Sequence, residues 1–420
     1  MKKLFTLLWL GVLSMSAGAQ VSADAHRIID TLASPAFDGR GYLHGGDRLA
    51  ADFIRNRFLR MNLKEFPGGY YQYFSFNVNT FPERIMVVLQ GDTLRPGEDF
   101  LVMPWSCNEQ WKFRVCRIDS SILKEGKRKK FILKHSRNDF IAFNKEDFST
   151  GGYRQLQLLL RSSDCLGTSG VIETTRGKLT MDMSQEQLDY VHLVVKRDKT
   201  PKKLKTVDLK VKAELLENYQ TQNVIGFIRG TTVPDSFLVL TAHYDHLGQM
   251  GAGTYFPGAN DNASGISMLL ELAAYYKTHP PKYSVVFMAF SGEEVGLLGS
   301  KYYTEHPLFP LGAIKFLINL DIVGTGDEGI KVVNGALLKE PFDRLSQLNE
   351  AHHYLKSVQM RGKAANSDHY FFYEKGVPSF FIYTLGGIDA YHDVHDRPET
   401  LPLTRFDDLY KLLIDFENSF

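Results

Sequence analysis

Cysteine is scarce: Cys107, Cys116 and Cys165 are the only three in 420 residues. A disulfide-built scaffold is therefore excluded. All three lie far from the acidic motifs described below, which argues against a zinc–thiolate site. Cys107 and Cys116 are near enough in sequence to pair after export, and pairing or two free thiols are both open. Cys165 reads as a packed or idle thiol. An excess of one charge is also missing. The balance of 49 Lys and Arg against 48 Asp and Glu gives no global footprint for nucleic acid. Two short basic runs read as solvated, 124–130 as a loop or hairpin and 196–205 as a connector. No long apolar run occurs beyond residue 13, so no membrane span is expected in the mature chain.

At the amino terminus, Lys2 and Lys3 precede an apolar stretch at 4–13 and the small residues Ala17, Gly18 and Ala19. This order is that of a cleaved export signal at 1–19, and it places the mature protein in a periplasm or outside the cell. No cysteine stands at the cleavage point to carry a lipid.

Four regions follow from the texture of the chain. After the signal, residues 20–97 hold two helical segments, 24–34 and 46–61, and a strand-like segment at 70–90. Gly39-Arg40-Gly41 and Gly45-Gly46 mark the loop between the helices, and Asp47 is placed to cap the second one. Residues 98–195 are short apolar runs broken by charged turns, with one helix at 153–161, and read as a smaller, mostly β insert. Residues 196–420 alternate strands (223–229, 237–241, 283–290, 313–320, 378–383) with helices (263–276, 295–304, 340–356, 406–418). Such alternation predicts an α/β fold, a mostly parallel mixed sheet flanked by helices. Sites in such folds form beyond the carboxyl ends of the strands.

The polar motifs fall at those ends. Thr241-Ala242-His243-Tyr244-Asp245-His246 closes one strand. His243 or His246 can present a ring nitrogen to a metal, and Asp245 can hold the other nitrogen of His243. Gly258-Ala259-Asn260-Asp261-Asn262-Ala263-Ser264-Gly265 leads into a helix, with Asp261 either a cap or a ligand amid small residues that permit close approach. Glu293 and Glu294 follow the apolar strand 284–290. Two such carboxylates are costly to bury without partners, and a metal ion removes that cost. Asp321 ends the next strand. Tyr391-His392-Asp393-Val394-His395-Asp396 lies before the last helix and offers His392 or His395. Ser367-Asp368-His369 is expected at the same mouth. One His, one Asp, a Glu pair, one Asp and one His make up about the set that two zinc ions require, although N and O donors do not exclude manganese or cobalt.

At AHYDHLG, GANDNASG, FSGEEVGLLGS, NLDIVG and YHDVHD the sequence resembles the bacterial co-catalytic zinc aminopeptidases, peptidase family M28. The likeness covers about 220–400, and LASPAFDGRGYLHGGDRLAADFI resembles the family's amino-terminal part. Residues 98–195 more weakly resemble its protease-associated insert. The resemblance implies two zinc ions, with Asp261 bridging, His243 and Asp321 completing one site, and Glu294 and His392 the other. His392 is preferred to His395 because Tyr391-His392 followed by Asp396 fits the pattern better. It also implies Glu293 as general base, Asp245 as the group orienting His243, Tyr391 as a hydrogen-bond donor to the tetrahedral intermediate, and Asp368 as an outlying support. The expected reaction is release of amino-terminal residues from peptide substrates. A glutaminyl cyclase-like enzyme and a carboxypeptidase or amidohydrolase of small peptides stand as alternatives, and the oligomeric state is open.

Overall fold

A computed structural model describes residues 17–135, 139–161 and 168–420. Most of the export signal expected at 1–19, and Cys165, lie outside them. The chain begins with α1 (Ala17–Leu32), α2 (Gly46–Arg60) and β1 (Tyr71–Thr80). A second unit follows: β2 (Met86–Leu89), β3 (Asp92–Thr93), β4 (Phe100–Val102), β5 (Glu109–Arg117), α3 (Glu125–Lys134), β6 (Asp139–Asn144), α4 (Thr150–Arg161), β7 (Gly170–Thr175), β8 (Val191–Lys196) and β9 (Thr206–Val211). The chain then returns to the first unit. It forms β10 (Glu214–Ile228), β11 (Val233–His243), α5 (Gly265–Thr278), β12 (Tyr283–Phe290), α6 (Leu298–Glu305), β13 (Ile314–Leu320) and β14 (Gly329–Val333). It closes with α7 (Lys339–His352), β15 (Val358–Met360), α8 (His369–Glu374), β16 (Ser379–Leu385) and α9 (Phe406–Asn418).

The first sheet has the order β1-β10-β12-β11-β13-β16-β14-β15. Its centre, β12-β11-β13-β16, is parallel, while β1, β10 and β14 pair antiparallel. The central strands read as unbroken apolar runs because both faces are covered. Leu238, Leu240 and Ala242 pack toward α1, α5 and α9, whereas Val239 packs with Met288, Tyr303 and Phe372 on the opposite face. From β11 the chain crosses to β12 on one side and then to β13 on the other. A crevice opens beyond the carboxyl end of β11, where these connections diverge.

The second sheet, β3-β2-β9-β5-β6-β7-β8-β4, is wider than the span 98–195, since β2, β3 and β9 lie outside it. Two helices, not one, cover its outer face. Ile141 and Phe143 meet Leu156 and Leu160 there, while Phe140 and Ala142 face the opposite way. That inner face packs on Leu247, Met250, Phe256 and Val394 of the first unit. The span 98–195 is thus part of an eight-stranded sheet that carries two helices and is seated on loops of the first unit.

Two local expectations need correction. The basic run 124–130 is helical: its Glu, Lys and Arg residues favour a helix, Glu125 and Lys129 pair at 2.5 Å, and the charges form a solvated face. Asp47 lies inside the first turn of α2 rather than capping it, and its buried carboxylate accepts hydrogen bonds from Tyr219 Oη at 2.7 Å and Thr221 Oγ1 at 2.8 Å. Of the two states left open for Cys107 and Cys116, the structure has both as free thiols. No helix among the described residues is long and apolar enough to cross a membrane.

Candidate metal centre

The crevice collects the strand-end motifs. His243 is the last residue of β11, and its Nε2 stands 3.3 Å from Asp261 Oδ1 and 3.3 Å from Asp321 Oδ1. The second oxygen of Asp261 faces another histidine, with His392 Nε2 at 3.1 Å. His392 Nε2 also lies 3.0 Å from Glu294 Oε2. Asp261 therefore divides its two oxygens between His243 and His392. Glu293 completes a cluster with His243 and Glu294.

The residues beneath hold these side chains in place. Asp245 meets His243 Nδ1 through its main-chain carbonyl at 3.2 Å, with its carboxylate farther away at 3.8 Å. That carboxylate accepts from Tyr42 Oη at 2.6 Å and from the N–H groups of Glu293 and Glu294 at 3.3 and 3.2 Å. Asp245 thus positions the glutamate pair as well as the histidine. Ser367 Oγ donates to Asp321 Oδ2 at 2.8 Å. Asp396 accepts from the N–H groups of Asn260 and Asp261 at 2.8 and 2.9 Å. Gly258 is required at φ +61°, since a Cβ there would meet Asp261 O at 2.2 Å.

Sequence reasoning missed Arg40 as a structural centre. Fully buried, it donates to the carbonyls of Leu32, Tyr244, Pro257, Gly258 and Asp261 at 2.7–3.1 Å. Burial lowers its pKa to about 10, against the pull of Asp396 and Asp261. The flanking glycines were its only visible signal. Met181 was also missed, and its main chain bonds His392 from the second unit.

The two histidine ambiguities resolve differently. His395 points away, with its side chain 57% exposed and its Nε2 3.8 Å from Glu98, so His392 alone of that pair reaches the crevice. His246 does enter: it is fully buried, its Nδ1 is 2.6 Å from Glu294 Oε1, and it forms a cluster with Asp261 and Glu294. Tyr391 is 45% exposed and stacks on His392 with ring centroids 4.0 Å apart. Asp368 is fully buried, and burial raises its carboxyl to about 7.

Electrostatics follow from this crowding. Burial disfavours charge on every group, yet His243 is raised well above the ordinary histidine value by Glu293 and Asp321. Burial likewise opposes the His392 cation, and Glu294 raises that group strongly. Burial would raise Asp261, but hydrogen bonds from His243 and His392 hold it well below the carboxylate range. Burial would raise Glu294 also, and His392 keeps it at about 2. Glu293 goes the other way: burial raises it, His243 offsets this only in part, and Glu294 adds repulsion. The carboxylates thus favour the protonated forms of His243 and His392. Metal binding must displace such protons.

Zinc with ligand distances of about 2.0–2.2 Å brings neighbouring N and O donors to about 3.3 Å of one another. The observed separations of 3.0–3.3 Å between His243 or His392 and the carboxylates match that spacing. The all-N,O donor set also fits zinc.

The fold is that of the zinc aminopeptidases. It matches BSAP, a zinc aminopeptidase from Bacillus subtilis, with TM-score 0.69 over 95% of this chain and 94% of that chain, at 20% identity. A peptidase M28 precursor from Shewanella amazonensis matches with TM-score 0.68 over 95% of each chain, at 15% identity. Residues 223–416 match the model of peptidase family M28. Aminopeptidase YwaD of Bacillus subtilis is 40% identical over 126 residues, 30% of this chain and 26% of that protein. A probable zinc metalloprotease of Pyrenophora tritici-repentis is 38% identical over 113 residues, 26% of this chain and 23% of its own length. The aligned regions span about a quarter of these curated relatives.

Proposed function

We propose that the protein is an exported aminopeptidase that uses two zinc ions to release amino-terminal residues from peptides. The observation that carries this reading is the division of the Asp261 carboxylate between His243 and His392. Two donor sets share that one carboxylate, His243 with Asp321 and His392 with Glu294. His246, which bonds Glu294, supports the second set. Zinc bound there would supply Lewis acidity toward the scissile carbonyl and would lower the pKa of water.

The remaining work falls to the chain's own groups. Glu293 takes a proton from the attacking water and returns it to the leaving amine. Its raised proton affinity, set first by burial, suits a group that must hold that proton between the two steps. The Tyr391 hydroxyl, at the open edge of the site, donates a hydrogen bond to the developing oxyanion. The surplus of carboxylates receives the substrate's free ammonium. The second unit borders the same mouth, with Gln185 Nε2 donating to Val295 O at 3.1 Å, and it limits how substrate enters.

A panel of free-amino and amino-blocked peptides, assayed after zinc loading, tests this function. Cleavage confined to free-amino peptides is expected. Cleavage of blocked peptides overturns the exopeptidase reading, and glutamine cyclisation without peptide cleavage replaces it with a cyclase.

A further inference from the structure

The parallel strands β5 and β6 of the second unit bring together three groups that are distant from the crevice. Cys116 lies near the end of β5, His135 directly follows α3, and Asp139 opens β6. Cys116 Sγ is 3.2 Å from His135 Nδ1 and 3.9 Å from Asp139 Oδ2, and His135 Nδ1 is 3.3 Å from the same Asp139 oxygen. We propose that Cys116, His135 and Asp139 form a separate binding site for one divalent cation of the zinc class.

Three features point to a cation rather than to a reactive cysteine. First, a nucleophile–base–carboxylate relay needs the thiol and the carboxylate on opposite ring nitrogens. Here both face Nδ1. Second, the sulfur, the ring nitrogen and the carboxylate oxygen converge on one another, and a cation at their meeting point takes all three as ligands. Third, the spacing fits. Tetrahedral zinc with one S, one N and one O ligand sets the donors about 3.4–3.6 Å apart, and the observed 3.2, 3.3 and 3.9 Å bracket that range.

The surroundings permit binding. Arg114 donates to the two oxygens of Asp139 at 3.0 and 3.3 Å from a side chain that is 77% exposed. A carboxylate offers about four lone-pair directions, so Asp139 can keep Arg114 and still ligate. His135 is oriented by stacking on Phe131, with ring centroids 4.3 Å apart. Cys116 is partly exposed, which gives a cation an entry and leaves its fourth position to water. The cysteines' distance in sequence from the acidic motifs had argued against a thiolate site. The fold supplies the missing partners from α3 and β6.

Cobalt(II) loading of the full-length protein tests the site. Among the described residues the crevice contains no thiolate, so a sulfur-to-cobalt charge-transfer band in the near ultraviolet reports a cysteine site. The band is expected in the native protein and in Cys107→Ser and Cys165→Ser, and is expected to vanish in Cys116→Ser. Zinc content should fall by one ion per chain in Cys116→Ser and His135→Ala, with peptide cleavage and circular dichroism unchanged. Absence of the band at saturating cobalt, or its persistence in Cys116→Ser, overturns the proposal. Neither result depends on the peptidase reading of the crevice.

Discussion

His392 Nδ1 donates to the main-chain carbonyl of Met181 at 2.8 Å, and the Met181 N–H returns a bond to the His392 carbonyl at 2.9 Å. A carbonyl can only accept, so this contact assigns the Nδ1 proton and turns Nε2 toward Asp261 and Glu294. The second unit thereby holds a proposed ligand of the first. Lys178 reinforces the contact, with Nζ 2.8 Å from Asp393 Oδ2 and 2.5 Å from Asp389 O. Lys178→Ala is expected to weaken one of the two proposed zinc sites about 10- to 100-fold. A chelator-competition titration should show one weakened ion and one unchanged. Equal weakening of both, or of neither, contradicts the link.

Arg40 joins five buried carbonyls that otherwise lack a common donor. Arg40→Met should cost on the order of 3–5 kcal/mol of stability by leaving buried acceptors unpaired. Arg40→Lys should rescue little, because a single ammonium cannot span the planar fan of contacts. Denaturant unfolding of the metal-free variants measures both.

Tyr391 is 45% exposed and stacks on His392. Tyr391→Phe keeps the stacking on His392 and removes only the hydroxyl. The expected result is a fall in kcat of about 10²-fold, the usual effect of losing one oxyanion donor, with KM and zinc content little changed. A defect confined to KM would instead assign Tyr391 to substrate binding.

Glu271 on α5 lies away from the crevice. Burial raises its carboxyl from 4.5 to about 7, and Asp24 adds to the shift. The folded state therefore holds this proton more tightly than the unfolded one. Stability associated with Glu271 is full below about pH 4.5 and declines as pH rises toward 7. Glu271→Gln should remove that decline and stabilise the protein at pH 8 by on the order of 1 kcal/mol after solvent screening. Unfolding of both proteins at pH 5 and pH 8 checks the sign: the gain should be larger at pH 8.

The fold was legible where burial writes itself into composition. Residues 283–290 are apolar throughout because β12 is covered on both faces, and the strands around it announce the parallel centre in the same way. The candidate ligands were legible because carboxylates and histidines closing apolar strands are costly without a cation. Helix α3 was not, since its charges form a solvated face and none of its residues is fully buried. Arg40 and Met181 were hidden for another reason. They act through main-chain bonds to residues as far as 221 and 211 positions away, and such bonds leave no mark on the partner's residue type. His392 and His395 look equivalent in sequence, and only the path of the loop separates them.

Glu293→Gln, compared with the native protein for both zinc content and peptide turnover, tests the central claim most directly. The substitution keeps the side chain's shape and removes its ability to accept a proton. Zinc content should be unchanged while kcat falls by about 10²–10⁴-fold. Turnover close to native with full zinc would contradict the assignment of Glu293 as the base.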